Sequence, residues 1–240
     1  MKANILLVIP CLRESNRIRA LTQSLHVALP AEVRLLVVDD GSGAEEVEQL
    51  KLAVGDYAVK ALPENVGKGG AVYAGWEEAR EEEWLAFVDA DGSCSAAEVV
   101  RVLAMLHAEV DALLAARVKM LGRKIKRNFH RHLIGRVFAT LVGTLLKVPV
   151  YDSQCGLKVV RRSAFEVVKP LLKMRRFTFD VELICALVDA GYTVREVPID
   201  WHEVGGGKVH LLSDAWRMFK DVLKIRAARS SSEWGRGIQR

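Results

Sequence analysis

The sequence predicts an α/β fold: one domain on a mostly parallel central sheet, flanked by helices on both faces. Three observations predict it. Apolar strand-like runs alternate with segments of helical spacing through the first half of the chain. The runs NILLVIP, VRLLVVD and WLAFV are almost continuously apolar, as strands covered on both faces are. Asp39, Asp40, Asp89 and Asp91 all fall where such runs end, on the side of a parallel sheet that binds ligands.

The elements follow in order. Asn4–Pro10 reads as a strand, and Glu14–Leu29 as a helix with Ile18, Leu21, Leu25 and Ala28 near helical spacing. Val33–Asp39 is a second strand, ended by Asp-Gly-Ser. A short helix, Ala44–Ala53, leads to a strand at Tyr57–Leu62, and Lys68–Glu82 is a helix entered through glycines. Trp84–Val88, Ala96–His107 and Ala112–Ala116 continue the strand–helix–strand pattern. In the second half, Asn128–Lys147 carries Phe129, Leu133, Val137, Leu141 and Leu145 on one helical stripe. Gly156–Val160 is a strand, Thr178–Ala190 a helix, Thr193–Ile199 a strand and Leu211–Ala228 an amphipathic helix. The domain is expected over residues 1–228, with a disordered tail at 229–240.

Composition narrows the class. The 240 residues are 50% hydrophobic and 27% charged, a globular balance. No stretch supplies the roughly 20 apolar residues of a membrane-spanning helix. Cys11, Cys94, Cys155 and Cys185 are scattered without zinc spacing and read as buried thiols of a reducing compartment. The net charge of +5 is unevenly spread. Between Asp111 and Asp152 there is no acidic residue, while Arg117, Lys119, Arg123, Lys124, Lys126, Arg127, Arg131, Arg136 and Lys147 fall in that interval. Such a block calls for an anionic partner. Residues 77–83, EEAREEE, read as a helix end facing solvent.

Four short stretches carry chemistry. Asp89-Ala90-Asp91 follows a buried strand, where two carboxylates repel each other unless a hard cation, Mg²⁺ or Mn²⁺, offsets the cost. The bland alternative is a turn in which an Asp caps the helix starting near Ser95. Asp39-Asp40-Gly41-Ser42 places a carboxylate where it could hold a base N–H or a ribose hydroxyl, or could simply close a turn. Asn65-Val66-Gly67-Lys68-Gly69-Gly70 opens a helix, where glycines, the helix N-terminus and Lys68 suit an anion. Residues 137–146, VFATLVGTLL, flanked by Arg136 and Lys147, are too short to span a bilayer and suit an interfacial helix. The stripe Leu212, Trp216, Phe219 and Leu223 suits core packing or the same surface.

VIPCLRES, LLVVDDGS, ENVGKGGAVYAGW and FVDADGS, in this order, resemble the family 2 glycosyltransferases of GT-A fold. YDSQCGLKVVRR, FTFDVEL and VPIDWHEVGGGKV resemble their dolichyl- and polyprenyl-phosphate branch, above all the dolichyl-phosphate β-glucosyltransferases. The resemblance implies a nucleotide-sugar half, 1–116, and an acceptor half, 117–228. It puts Pro10, Glu14 and Asp39 or Asp40 around the nucleoside, Lys68 and Lys208 near the donor diphosphate, and Asp89 and Asp91 at the metal. It puts Asp180 and Glu182 near the reacting centre, Asp152 and Gln154 on the acceptor side, and Arg117, Arg127 and Arg131 on the lipid phosphate. Two places depart from the family: Leu12-Arg13 stand where an aromatic and an Asn are usual, and Gly92-Ser93 replace a longer polar side chain.

The expected reaction is inverting transfer of a hexose from a nucleotide sugar, UDP-glucose before GDP-mannose, to a polyprenyl monophosphate. The expected setting is cytoplasmic and peripheral, against an anionic membrane surface. A transferase acting on a hydroxyl would need a clear carboxylate base. A nucleic-acid-binding module is disfavoured because the basic block lacks interleaved aromatics.

Overall fold

A computed structural model describes residues 4–126, 129–204, 211–231, 234–235 and 237, with side chains described except at 129–134 and 211–215. The strands are β1 (Ile5–Cys11), β2 (Val33–Asp39), β3 (Ala58–Ala61), β4 (Trp84–Val88), β5 (Ala112–Ala116), β6 (Ile125–Lys126), β7 (Leu157–Arg161), β8 (Val194–Pro198) and β9 (Trp201–His202). The helices are α1 (Ser15–Ala28), α2 (Ala44–Val54), α3 (Lys68–Trp76), α4 (Ala96–Leu103), α5 (Phe129–Leu146), α6 (Arg162–Val168), α7 (Phe179–Asp189) and α8 (Leu211–Arg229).

Among the described residues the main sheet has seven strands in the order β3-β2-β1-β4-β7-β5-β8. β1 pairs in parallel with β2 and β4, and β5 with β8. β7 is the exception, antiparallel to both of its neighbours. It comes from the second half of the chain and inserts between two strands of the first, so the sheet itself joins the two halves.

Strand alternation divides the core into two layers. Ile5, Leu7 and Ile9 face Ile18, Leu25, Val99 and Val102 of α1 and α4. Leu6 and Val8 face the other way, toward Val72, Trp76, Phe165, Phe179 and Leu183. On this second side Trp76 packs edge-on against Phe165 at 5.0 Å, and its indole N–H donates to Ala86 O. All four cysteines are reduced and buried.

Several expectations shift. α3 stops at Trp76, so EEAREEE is not a helix end: it forms the turn into β4, and Glu82 is buried against Arg34. α4 ends at Leu103, short of His107. β6, α6 and β9 were not expected; β6 and β9 are two-residue strands paired only with each other. The apolar stripe of α5 is turned: Val142 and Leu146 are buried while Val137 is 64% exposed. In α8 the core residues are Val222 and Ile225, while Trp216 is 60% exposed and stacks on Phe219. The tail is partly packed: Trp234 is buried and donates from its indole to Asp189, which also holds Arg229. No helix of the described residues is long and apolar enough to cross a membrane.

Candidate active site

The carboxyl ends of β1, β2 and β4 open on a cavity of about 400 Å³. Pro10, Glu14, Asp40, Lys68, Asp89 and Asp91 line it, so six of the expected residues meet in one place.

Each is placed by backbone geometry. Beyond β2, Asp40 is buried, and its two carboxylate oxygens accept from Val66 N at 2.7 Å and Gly67 N at 3.0 Å. Gly67 has φ +92, a left-handed conformation that favours glycine. A Cβ there would lie 2.7 Å from Arg175 O, so the site needs glycine twice over. Burial pushes the Asp40 carboxyl up, and the two amides and Arg176 oppose it. Asp39 does not line the cavity. It is buried behind Asp40, with Oδ2 accepting from Ser42 N at 2.9 Å and Oδ1 lacking a hydrogen-bond partner.

After β4, Asp89 sits over Gly156, where any Cβ would lie 2.2 Å from its Oδ2. Its Oδ1 is 2.6 Å from Lys68 Nζ, so these two expected ligand-binding groups pair with each other. Burial alone would lower the Lys68 basicity; Asp89 and Asp180 together outweigh it and raise it. Asp91 accepts from Ser93 N at 2.9 Å. Asp91 does not cap α4. Ser95 does so, accepting from Glu98 N at 3.3 Å in a capping-box pattern. The capping role is therefore filled by Ser95, while Asp91 closes the turn after β4.

Other expected residues lie elsewhere. Arg117 and Asp152 bind each other: Nε and Nη2 of the guanidinium donate to Oδ2 and Oδ1 at 2.7 and 2.8 Å. Neither lines the cavity, and Gln154 instead donates from its amide to Phe177 O at 3.2 Å. Asp180 is buried below the cavity floor, 3.0 Å from Lys158 Nζ. Glu182 does not line the cavity. Its Oε2 accepts from Lys173 N and Met174 N, both at 2.7 Å, and so anchors the 172–178 loop. Lys208 and Arg127 lie outside the described residues, as does the side chain of Arg131 on α5.

Among the described residues, the guanidinium groups that share the cavity with the carboxylates are Arg17, Arg176 and Arg217, joined by the aromatic Phe177. The sequence carried a signal for two of them. Arg17 follows Glu14 by one helical turn and pairs with it at 3.3 Å, and Arg176 belongs to the Arg-Arg doublet just before FTFDVEL. Lys158, also missed, is a lone lysine inside the apolar run of β7.

Among the described residues no three His, Cys, Asp or Glu side chains converge as a ready-made metal cage. Two hard carboxylates at one end of the cavity are what a divalent cation requires when a phosphate-bearing ligand completes its shell.

Comparison with known proteins gives the same outline. Residues 6–169 match the family model for glycosyl transferase family 2. A dolichyl-phosphate β-glucosyltransferase of Saccharomyces cerevisiae is 30% identical over 92% of this chain and 73% of its own length. A polyprenol monophosphomannose synthase of Mycolicibacterium smegmatis is 29% identical over 90% of this chain and 84% of its own. The glucosyl-3-phosphoglycerate synthase of Mycobacterium tuberculosis, solved with Mn²⁺, UDP-glucose and phosphoglyceric acid, superposes with a TM-score of 0.74 at 15% identity, over 96% of this chain and 82% of that one. That likeness bears on fold alone, and the fold is GT-A. The chain is a glycosyltransferase and belongs to glycosyl transferase family 2.

Proposed function

We propose that the protein moves glucose from UDP-glucose to a polyprenyl monophosphate with inversion at the anomeric carbon. One observation carries the reading: Asp89, Asp91, Asp40 and Lys68 converge on a single cavity at the carboxyl ends of β1, β2 and β4. The similarity to dolichyl-phosphate β-glucosyltransferases supports the choice of glucose and lipid phosphate. The similarity to a polyprenol monophosphomannose synthase keeps GDP-mannose as the second donor.

In this reading the nucleoside lies at the β1–β2 end. Asp40, which lines the cavity there, suits a base N–H or a ribose hydroxyl. Asp91, with Asp89, would hold Mg²⁺ or Mn²⁺, which when bound neutralises the charge that develops on the leaving diphosphate. Lys68 and Lys208 add positive charge to the same phosphates. Asp180, below the floor, acts on the site through Lys68. Glu182 acts by holding the loop that carries Arg176 and Phe177.

A polyprenyl phosphate is ionised at neutral pH, so its attack needs no strong base. What it needs is relief of repulsion between two phosphate-bearing molecules. Arg176 and Arg217 line the cavity and can give that relief; Arg127 and Arg131 of the basic block are further candidates for holding the lipid phosphate. Arg117 contributes by fixing Asp152 and the turn that leads to Gln154.

The acid-free block, the 99% exposed Leu121 beside Met120, and exposed Trp216 on α8 support docking on an anionic membrane surface. Each basic residue near such a surface adds about 1 kcal/mol.

The test uses sugar-labelled UDP-glucose and GDP-mannose, Mn²⁺, and undecaprenyl phosphate or unphosphorylated polyprenol in detergent. Label from UDP-glucose entering the lipid phase only with the phosphorylated acceptor is the expected result. Equal transfer to the free alcohol, or none to either lipid, would overturn the proposal.

A further inference from the structure

Outside the cavity lining lies a second, buried pair of opposite charges, Lys158 and Asp180. Lys158 stands mid-strand in β7, opposite Phe87 of β4, with its side chain fully buried. An unpaired ammonium there would cost several kcal/mol. Its Nζ donates to Cys155 O at 2.7 Å and lies 3.0 Å from Asp180 Oδ1. Asp180 is 2% exposed, in the first turn of α7, where the helix dipole favours a carboxylate.

Tight packing brings this pair to the active site. A Cβ on Gly69 would lie 2.4 Å from the Cβ of Phe179, so glycine lets α3 and α7 approach closely. Lys68 Nζ and Lys158 Nζ then stand 5.2 and 5.4 Å from the centroid of the same Phe87 ring. Asp89, Lys68, Asp180 and Lys158 form a row of alternating charge running from the cavity into the core. Burial pushes the Asp180 carboxyl up, and the Lys158 and Lys68 ammonium groups oppose this and favour its charged form.

The row has a consequence for donor binding. Asp89 lines the cavity and can be drawn to an incoming cation and diphosphate; Asp180 does not line it and cannot. Without Lys158, Asp180 would compete with the donor for the Lys68 ammonium. We infer that Lys158 and Asp180 are positioning residues of the donor site: Asp180, held by Lys158, is the fixed counter-charge that keeps Lys68 directed at the cavity when Asp89 turns to the donor. This inference rests on the reading of Asp89 and Lys68 as donor-binding groups.

The test is calorimetric binding of UDP and of GDP in the presence of Mn²⁺, with circular dichroism as the control for folding. Wild type is compared with Lys158→Met/Asp180→Asn, which removes both buried charges together, with Lys68→Met, and with the triple variant. The paired variant is expected to fold and to bind the preferred nucleotide at least tenfold more weakly, with Lys68→Met adding less than twofold to that loss. Asp180→Glu keeps the charges that folding needs but moves the carboxylate by one methylene, and is expected to lose at least threefold. Wild-type affinity in the paired variant or in Asp180→Glu would overturn the inference. So would a Lys68→Met effect that adds in full, since the pair would then be merely structural. If the wild type binds neither nucleotide, the donor-site reading falls and the inference with it.

Discussion

Gly67 donates its backbone N–H to Asp40, 3.0 Å from Oδ2 and 3.3 Å from Oδ1, so the end of β2 holds the glycine turn that opens α3. Lys68 follows directly, which makes Asp40 a determinant of where that ammonium points. Asp40→Asn keeps one acceptor but sets an NH₂ group against the Gly67 N–H in place of Oδ2. It is expected to cost about 1–3 kcal/mol of stability, read by chemical denaturation, together with weaker nucleotide binding. Unchanged stability and binding would remove this role.

Asp91 is the cleaner test of the cavity chemistry, because it supports little of the fold: one hydrogen bond, from Ser93 N. Asp91→Ala is expected to melt within a few degrees of wild type. Transfer should fall by roughly 10²–10³-fold or more, the scale on which preorganised charge stabilisation acts. Stabilisation by Mn²⁺ plus nucleotide in a thermal-shift assay should vanish as well. Retained transfer would end the metal role of this carboxylate.

Arg117 and Asp152 offer a prediction about acid stability. The bidentate guanidinium lowers the Asp152 carboxyl to about 2 against the burial that would raise it, from an ordinary 3.8. A lowered carboxylate pKa stabilises the fold above the unfolded-state value and loses that contribution as pH falls toward 2. The pair is largely buried, so the effect is on the order of 2 kcal/mol. Asp152→Asn should therefore be clearly less stable than wild type at pH 7, with the gap narrowing below about pH 4. A gap of constant size across that range would show that the pair contributes no such linkage. Arg117→Lys should lose most of the same contribution, since an ammonium cannot reproduce the fork.

Much of this was legible in the sequence, and the limits have physical causes. The parallel strands were readable because strands buried on both faces must be apolar, and Val33–Asp39, Trp84–Val88 and Ala112–Ala116 match to the residue. The direction of β7 was not readable, since an apolar run does not encode orientation. The inward faces of α5 and α8 were not readable, because Val137 and Trp216 are apolar yet exposed, and periodicity cannot tell a core stripe from an outward one. At the site, Asp89, Asp91 and Lys68 were legible because strand ends and helix starts fix their place. For Arg117, expected at the lipid phosphate, and Glu182, expected near the reacting centre, the sequence did not disclose their protein partners, Asp152 and the amides of a loop. Pairings between residues 35 positions apart, as in Arg117–Asp152, arise only when the chain folds.

Glu182 yields the last prediction, with the opposite sign to Asp152. Its carboxyl is raised from 4.5 to about 7, first by burial, against the amides of Met174 and Lys173 and the charges of Arg175 and Lys173. Here the folded protein binds the proton more tightly than the unfolded chain. The resulting stability is fully present below about pH 4.5 and is lost as pH rises through about 7. Glutamine is uncharged at every pH and can still accept from both amides. Glu182→Gln should therefore gain on wild type by up to about 3 kcal/mol between pH 5 and pH 8. The measurement is the difference in denaturation free energy between the two proteins at those pH values. A difference that stays flat would mean that Glu182 is already ionised in the folded protein at pH 5. The anchoring of Arg176 and Phe177 at the cavity would then rest on a permanently charged carboxylate.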